Sequence, residues 1–387
     1  MSLKELFRSD PTRQLEEVQK VNARERAETD VAEFHETESA KRVLTELGEV
    51  IQTHHGEAAR FLYLHATFGS GKTHLLKLIG LVADSESEFA HLGEQLAEQW
   101  PGFDNLAQSI DASHVGRLKP VFLNLLDRDA SKEPPLPFLI FEAIGRELGY
   151  PTDPNWLLEW AWTVDMEYDG VWEALSSGER GDAFNEALEE RASLRKWLYE
   201  TLPSMTETSG TDLDSREGVK ASIERAEAEV DPESFDPDEL VHRVEDATSA
   251  LNEAGPHTEF LIGLDEVALF VGDSRHRYRE FEETMEALQY GPNPVVVTTG
   301  QYSLPKTRES LIGEPSEDHW THQQVLLEGA DTEIIVRKRW LQKDGMGNDR
   351  VASLLSTMPD LSLETYSPVG SSDPDPVESY PFREYDL

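Results

Sequence analysis

The sequence predicts an α/β fold on a mostly parallel sheet, and three runs of residues predict it. Phe61-Leu62-Tyr63-Leu64 leads directly into Ala66-Thr67-Phe68-Gly69-Ser70-Gly71-Lys72-Thr73, then into the apolar stretch His74-Leu75-Leu76-Lys77-Leu78-Ile79-Gly80-Leu81. Strand, glycine-containing turn and helix thus follow without a break. A second run, Phe260-Leu261-Ile262-Gly263-Leu264, closes on Asp265-Glu266, and a third, Pro294-Val295-Val296-Val297-Thr298-Thr299, closes on Gly300-Gln301. Short, continuously apolar runs of this kind read as strands covered on both faces, the habit of parallel sheets.

The other elements fall around these three. Residues 1–56 form a lead-in and an amphipathic helix whose apolar face is Val43, Leu44, Leu47, Val50 and Ile51. Residues 57–151 are the first half of the core: the first strand and its helix, then a strand at 120–126 and a helix at 138–148 that Gly149 and Pro151 stop. Residues 152–258 read as an acidic helical insertion in which Trp156, Trp160, Trp162 and Trp172 are packing residues. Residues 259–312 are the second half of the core, with a helix near 278–288. Residues 313–387 are expected to form a partial helical lid. No internal repeat is visible.

Composition narrows the setting. The 387 residues carry 76 Asp and Glu against 35 Lys and Arg, a formal net charge of −41, and Lys is scarcer than Arg. The acids are spread along the chain, which fits a halophilic protein at molar salt, where the screening length falls to about 3 Å. Net charge then says little for or against DNA as a partner. No apolar run approaches the roughly 20 residues that cross a bilayer, and Lys4, Glu5, Arg8 and Asp10 stand where a secretory signal would be apolar. With no cysteine, the expectation is a cytoplasmic protein free of membrane.

The loop carries the chemistry. The phosphate-loop pattern, Gly, four residues, then Gly-Lys-Ser/Thr, is met with Ala66 in the first place and Gly71-Lys72-Thr73 intact. Backbone N–H groups and a helix N-terminus there suit the phosphates of ATP, Lys72 suits the β and γ oxygens, and the Thr73 hydroxyl suits Mg²⁺. Nucleotide contacts are expected from Phe68, Gly69, Ser70, Gly71, Lys72, Thr73 and His74. Asp265 is the second expected metal residue, and Glu266 is expected to orient or deprotonate the attacking water, so that Glu266 and Lys72 are the catalytic pair. Gln301 or Thr299 would sense the γ-phosphate if their strand lies beside the acidic one. Arg337 and Arg339, or Arg275, Arg277 and Arg279, are the available arginines for completing a neighbour's site, although solvated surface is the simpler reading of each. His319 and His322 have helical spacing but no companion ligands and read as surface residues. Together these residues predict a P-loop NTPase of the AAA+-like, additional-strand type.

The motif order resembles the BrxC/PglY ATPases of BREX anti-phage defence systems. The resemblance rests on Leu6-Phe7-Arg8-Ser9-Asp10-Pro11-Thr12-Arg13, the loop from Phe68 to Leu76, Leu264-Asp265-Glu266-Val267, Val297-Thr298-Thr299-Gly300-Gln301, the helix at 333–343 and Tyr380-Pro381-Phe382. It implies an ATPase that drives conformational change in a defence complex, with other subunits of that system, a homo-oligomer and an indirect link to DNA as partners. This chain departs from the family by stopping just after Tyr380-Pro381-Phe382, and by having Asp318-His319-Trp320 where an arginine-bearing segment is expected. Two other functions are open: a nucleotide-gated scaffold with little turnover, and an initiator or loader that engages DNA directly, for which no DNA-reading helix is evident.

Overall fold

In the computed structural model, residues 21, 25–53, 60–66, 71–113, 116–125, 133–254, 257–301 and 323–327 are described. Five strands form one sheet, β1 (Phe61–His65), β2 (Arg117–Asn124), β3 (Thr258–Asp265), β4 (Val295–Gly300) and β5 (Gln323–Leu326), in the order β2-β3-β4-β1-β5. Every pairing is parallel. The central strands are buried along almost their whole length, which explains why their sequences lack the polar alternation of a half-exposed sheet. β2 lies at an edge, where Pro120 costs no ladder hydrogen bond and Arg117 and Lys119 discourage further pairing.

Alternate side chains divide the core into two layers. Leu62, Leu64, Leu261, Val295 and Val297 face one side. There they meet α1 (Ala27–Glu33), α2 (Glu38–Gln52), α3 (Lys72–Ala83), α4 (Ala90–Gln99) and α5 (Pro101–Ala112). Phe61, Tyr63, Phe260, Ile262, Leu264 and Val296 face the other, under α6 (Leu136–Glu147), α13 (Val267–Val271), α14 (Arg275–Tyr290) and the helices between β2 and β3. The period of two along each strand sorts the residues this way. In α2, the expected stripe Val43, Leu44, Leu47, Val50 and Ile51 is buried in full.

The insertion contains α7 (Asn155–Glu167), α8 (Val171–Ser176), α9 (Gly178–Glu189), α10 (Arg191–Thr201), α11 (Arg216–Glu229) and α12 (Pro237–Ala254). Its apolar residues join the same cluster as the sheet's second face, so it shares the core of the sheet. Trp160, Trp162 and Trp172 are buried there, and Trp156 lies against the cluster with Arg195 5.0 Å above its ring. Arg243 of α12 pairs with the buried Glu159 at 2.8 Å and lies 5.3 Å from the Phe141 ring of α6, tying insertion to core.

Two features were not expected. Helices α4 and α5 occupy a stretch to which no element was assigned, although Pro101 at the start of α5 is a helix-start signal. β5 lies inside the segment expected to be a helical lid and extends the sheet beyond β1, while the rest of 313–387 lies outside the described residues.

Phe122 of β2 occupies space left by two glycines. A Cβ at Gly80 of α3 or at Gly263 of β3 would overlap its ring. Gly263→Ala is therefore expected to destabilise the protein by about 1–3 kcal/mol, read by urea unfolding. Phe122→Leu in the same chain should recover most of that loss.

Candidate functional site

The sheet order brings the carboxyl ends of β1, β3 and β4 together. β4 lies between the other two, with Leu64 paired to Thr299, His65 to Gly300 and Leu264 to Thr298. α3 begins where the loop after β1 ends. Gly71, its capping residue, has φ 85° and ψ 14°, and although a Cβ there would meet nothing within 4 Å, that left-handed backbone favours glycine. Lys72 and Thr73 are thereby the first two residues of the helix, at its positive end.

Three hydroxyl and carboxylate groups then lock the strand ends together. Thr73 Oγ1 donates to Asp265 Oδ2 at 2.8 Å, and Thr299 Oγ1 donates to Asp265 Oδ1 at 2.6 Å. The Thr299 oxygen also accepts the backbone N–H of Glu266 at 2.9 Å. Both oxygens of Asp265 are thus fixed, one by the loop helix and one by β4.

Glu266 follows in a left-handed conformation, φ 61° and ψ 42°, which costs a non-glycine residue on the order of 1 kcal/mol and clusters at functional sites. Lys72 Nζ lies 3.5 Å from Glu266 Oε1 and donates to the carbonyl of Ala66 at 3.2 Å. The other carboxylate oxygen, Oε2, is buried and has no hydrogen-bond partner among the described residues.

Burial sets the electrostatics. Desolvation raises the Asp265 carboxyl above the usual carboxylate range, against the lowering effect of the Thr299 and Thr73 hydrogen bonds and the Lys72 charge. Desolvation also raises Glu266, opposed by Lys72 and reinforced by the negative charge of Asp265. Two buried carboxylates facing one ammonium leave negative charge uncompensated. A further cation would relieve it, and the all-oxygen donors Thr73 and Asp265 are of the kind that could hold Mg²⁺. Among the described residues no group of three or more His, Asp or Glu could hold a metal by itself.

The sequence-predicted residues Lys72, Thr73, Asp265 and Glu266 are brought together. His74 is turned elsewhere: its Nε2 lies 3.0 Å from the Asp30 carbonyl of α1, and its ring meets Phe34 edge-on at 5.9 Å. On β4, Thr299 is the residue drawn into the cluster, while Gln301 stands half-buried just past the strand end. Arg277 is held within its own chain, donating to the carbonyls of Glu133 and Pro134 and pairing with Glu280 at 3.0 Å. Arg275 and Arg279 are exposed. Phe68, Gly69, Ser70, Arg337, Arg339, His319 and His322 lie outside the described residues.

Two contributors had no motif to announce them. Tyr63 lies over Gly300, and Asp30 holds α3. Asp30 and Lys77 form a buried pair at 2.5 Å, so α1 packs on α3 one turn beyond Thr73. A groove of about 530 Å³ between α12 and α14, lined by Asp236, Glu283 and Tyr290 among others, is separate from this cluster.

A raised carboxyl contributes stability below its usual pKa and loses it as pH rises through the raised value. Glu266→Gln is neutral throughout, so without nucleotide it should melt at a higher temperature than the wild type near neutral pH. The gap should close on acidification toward the usual Glu pKa, about 4.3, in a melting series against pH. Asp30→Ala leaves the Lys77 ammonium buried without its carboxylate and should cost about 3–5 kcal/mol in urea unfolding. No protein-family model matches the chain and no curated protein matches it, so the reading of this cluster rests on its own residues and geometry.

Proposed function

We propose that the chain binds ATP with Mg²⁺ across the carboxyl ends of β1, β3 and β4 and hydrolyses it, as a P-loop NTPase of the AAA+-like, additional-strand type. The observation that carries this reading is the hydrogen bond from Thr73 to Asp265. It joins the hydroxyl after a Gly-Lys pair at a helix N-terminus to the acid at the end of an apolar strand, across an intervening strand β4. Parallel sheets place their ligands in this position, outside the carboxyl ends of the strands.

Each side chain has a part in the proposed reaction. Gly71 lets the chain turn into α3 so that the helix's positive end meets the phosphates. Lys72, which without nucleotide rests on Glu266 and the Ala66 carbonyl, turns its ammonium to the β and γ oxygens. Thr73 and Asp265 would hold Mg²⁺, which when bound offsets phosphate charge. Release of Lys72 frees the Glu266 carboxylate to orient a water and accept its proton. Burial raises the Glu266 carboxyl, which brings a base closer to working pH. Thr299 fixes the Asp265 carboxylate and the Glu266 backbone together.

With the sequence resemblance to BrxC/PglY ATPases, the reading extends to a role in a BREX-type defence complex, alongside other subunits of that system. No helix of the described residues is long and apolar enough to cross a membrane.

Steady-state ATP hydrolysis at molar KCl with Mg²⁺ tests the proposal. Lys72→Ala and Glu266→Gln should each lower turnover on the order of 10²-fold or more, with nucleotide binding kept in Glu266→Gln. Tight binding without turnover in the wild type would mean a nucleotide-gated scaffold, and absence of binding would defeat the proposal.

A further inference from the structure

We infer that Tyr63 is a positioning residue for Glu266, its hydroxyl serving as the hydrogen-bond donor to the Glu266 carboxylate once Lys72 leaves for the phosphates. The inference rests on the proposed hydrolytic role of Glu266.

Tyr63 is fully buried in the middle of β1, on the face opposite Leu62 and Leu64. Its ring runs along the neighbouring strand toward the site and passes over Gly300. A Cβ at Gly300 would overlap the Tyr63 hydroxyl, lie 3.0 Å from Cζ, and lie 3.3 Å from the Ala268 Cβ. Ala268 belongs to α13, the turn of helix that Glu266 caps. The hydroxyl therefore lies at the end of β4, near the start of α13. His65, one strand position pair further on, stacks on the Tyr63 ring at 6.3 Å and helps hold it there.

The second observation lies on Glu266. Its carboxylate is buried, with one oxygen 3.5 Å from Lys72 and the other without a hydrogen-bond partner among the described residues. When Lys72 departs, a buried carboxylate loses its cationic neighbour, and an unmet charge of that kind is costly. A phenol supplies an O–H donor with no charge of its own, and it stays protonated here: burial, then the Glu266 charge, pushes the Tyr63 hydroxyl well above the usual tyrosine range. Such a donor can aim the Glu266 carboxylate without neutralising it, as a second ammonium would. The absence of a side chain at Gly300 is what lets the hydroxyl reach this place.

Tyr63→Phe removes the one atom in question and keeps the ring. Turnover should fall about tenfold, with KM for ATP and the affinity for a non-hydrolysable ATP analogue changed less than about twofold. A purely structural tyrosine would lower the melting temperature and leave kcat alone, and an unchanged kcat in an active wild type would overturn the inference while leaving the proposed function standing. An independent arm needs no nucleotide. In a Lys72→Ala background, where the ammonium is already gone from Glu266, a double-mutant cycle of Tyr63→Phe and Glu266→Gln at neutral pH should give unfolding constants that are non-multiplicative by at least about twofold. Multiplicative effects would overturn the inference even if the chain proved not to hydrolyse ATP. Gly300→Ala should lower stability more in the wild type than in Tyr63→Phe, because only the tyrosine carries the hydroxyl that the new methyl overlaps. Equal losses in the two backgrounds would contradict the seating of the hydroxyl.

Discussion

Asp265 holds the site together, and its two carboxylate oxygens are the constraint on which the remaining geometry depends. One is spoken for by Thr73 at the start of α3, the other by Thr299 at the end of β4. Two segments far apart in sequence are therefore fixed to one buried carboxylate of β3. Such a group is expensive to bury, and desolvation pushes its carboxyl upward. Two charge-assisted hydrogen bonds and the Lys72 ammonium offset that cost. The same arrangement leaves the neighbouring Glu266 in a left-handed backbone with one oxygen unmet among the described residues. Stability is thus sacrificed locally at the residue to which the chemistry is assigned, as functional sites commonly require.

The sheet makes this possible by placing β4 between β1 and β3. A threonine on the middle strand can reach both an acid on one neighbour and the backbone that follows it. Burial on both faces gives the strand ends little freedom to drift, and the two helical layers are matched to that burial by the alternation of apolar side chains. On one layer, Phe122 fills the space above Gly80 and Gly263. On the other, Tyr63 fills the space above Gly300. Where the sheet is thinnest in side chains, aromatic rings from adjacent strands take up the room, and one of them ends in a polar group at the site.

Much of this was legible in the sequence because the signals are local. The strands at 61–64, 260–264 and 294–299 are apolar runs, and Thr73 in the glycine-lysine turn after the first, with Asp265 and Glu266 at the end of the second, are among the residues the structure brings together. The tryptophans of the insertion read as packing, and Trp160 and Trp162 are buried. Other features depend on contacts between distant segments. Asp30 looks like any surface acid in so acidic a chain, yet it is buried against Lys77. His74 sits in the loop motif but bonds the Asp30 carbonyl, because helical geometry turns it away from Thr73. β5 is a short strand whose sequence, Gln323-Gln324-Val325-Leu326, is half polar because it is an edge. Choosing Thr299 over Gln301 required the register of β4 against β1 and β3, which no single-strand pattern contains.

The central claim is that Thr73 and Asp265 form a metal-dependent nucleotide site, and equilibrium ATP binding with and without Mg²⁺ tests it most directly. Wild-type affinity should rise with Mg²⁺ and that dependence should be lost in Thr73→Ala at unchanged fold. Binding that is indifferent to Mg²⁺ in the wild type, or a Mg²⁺ dependence that survives Thr73→Ala intact, would contradict the account.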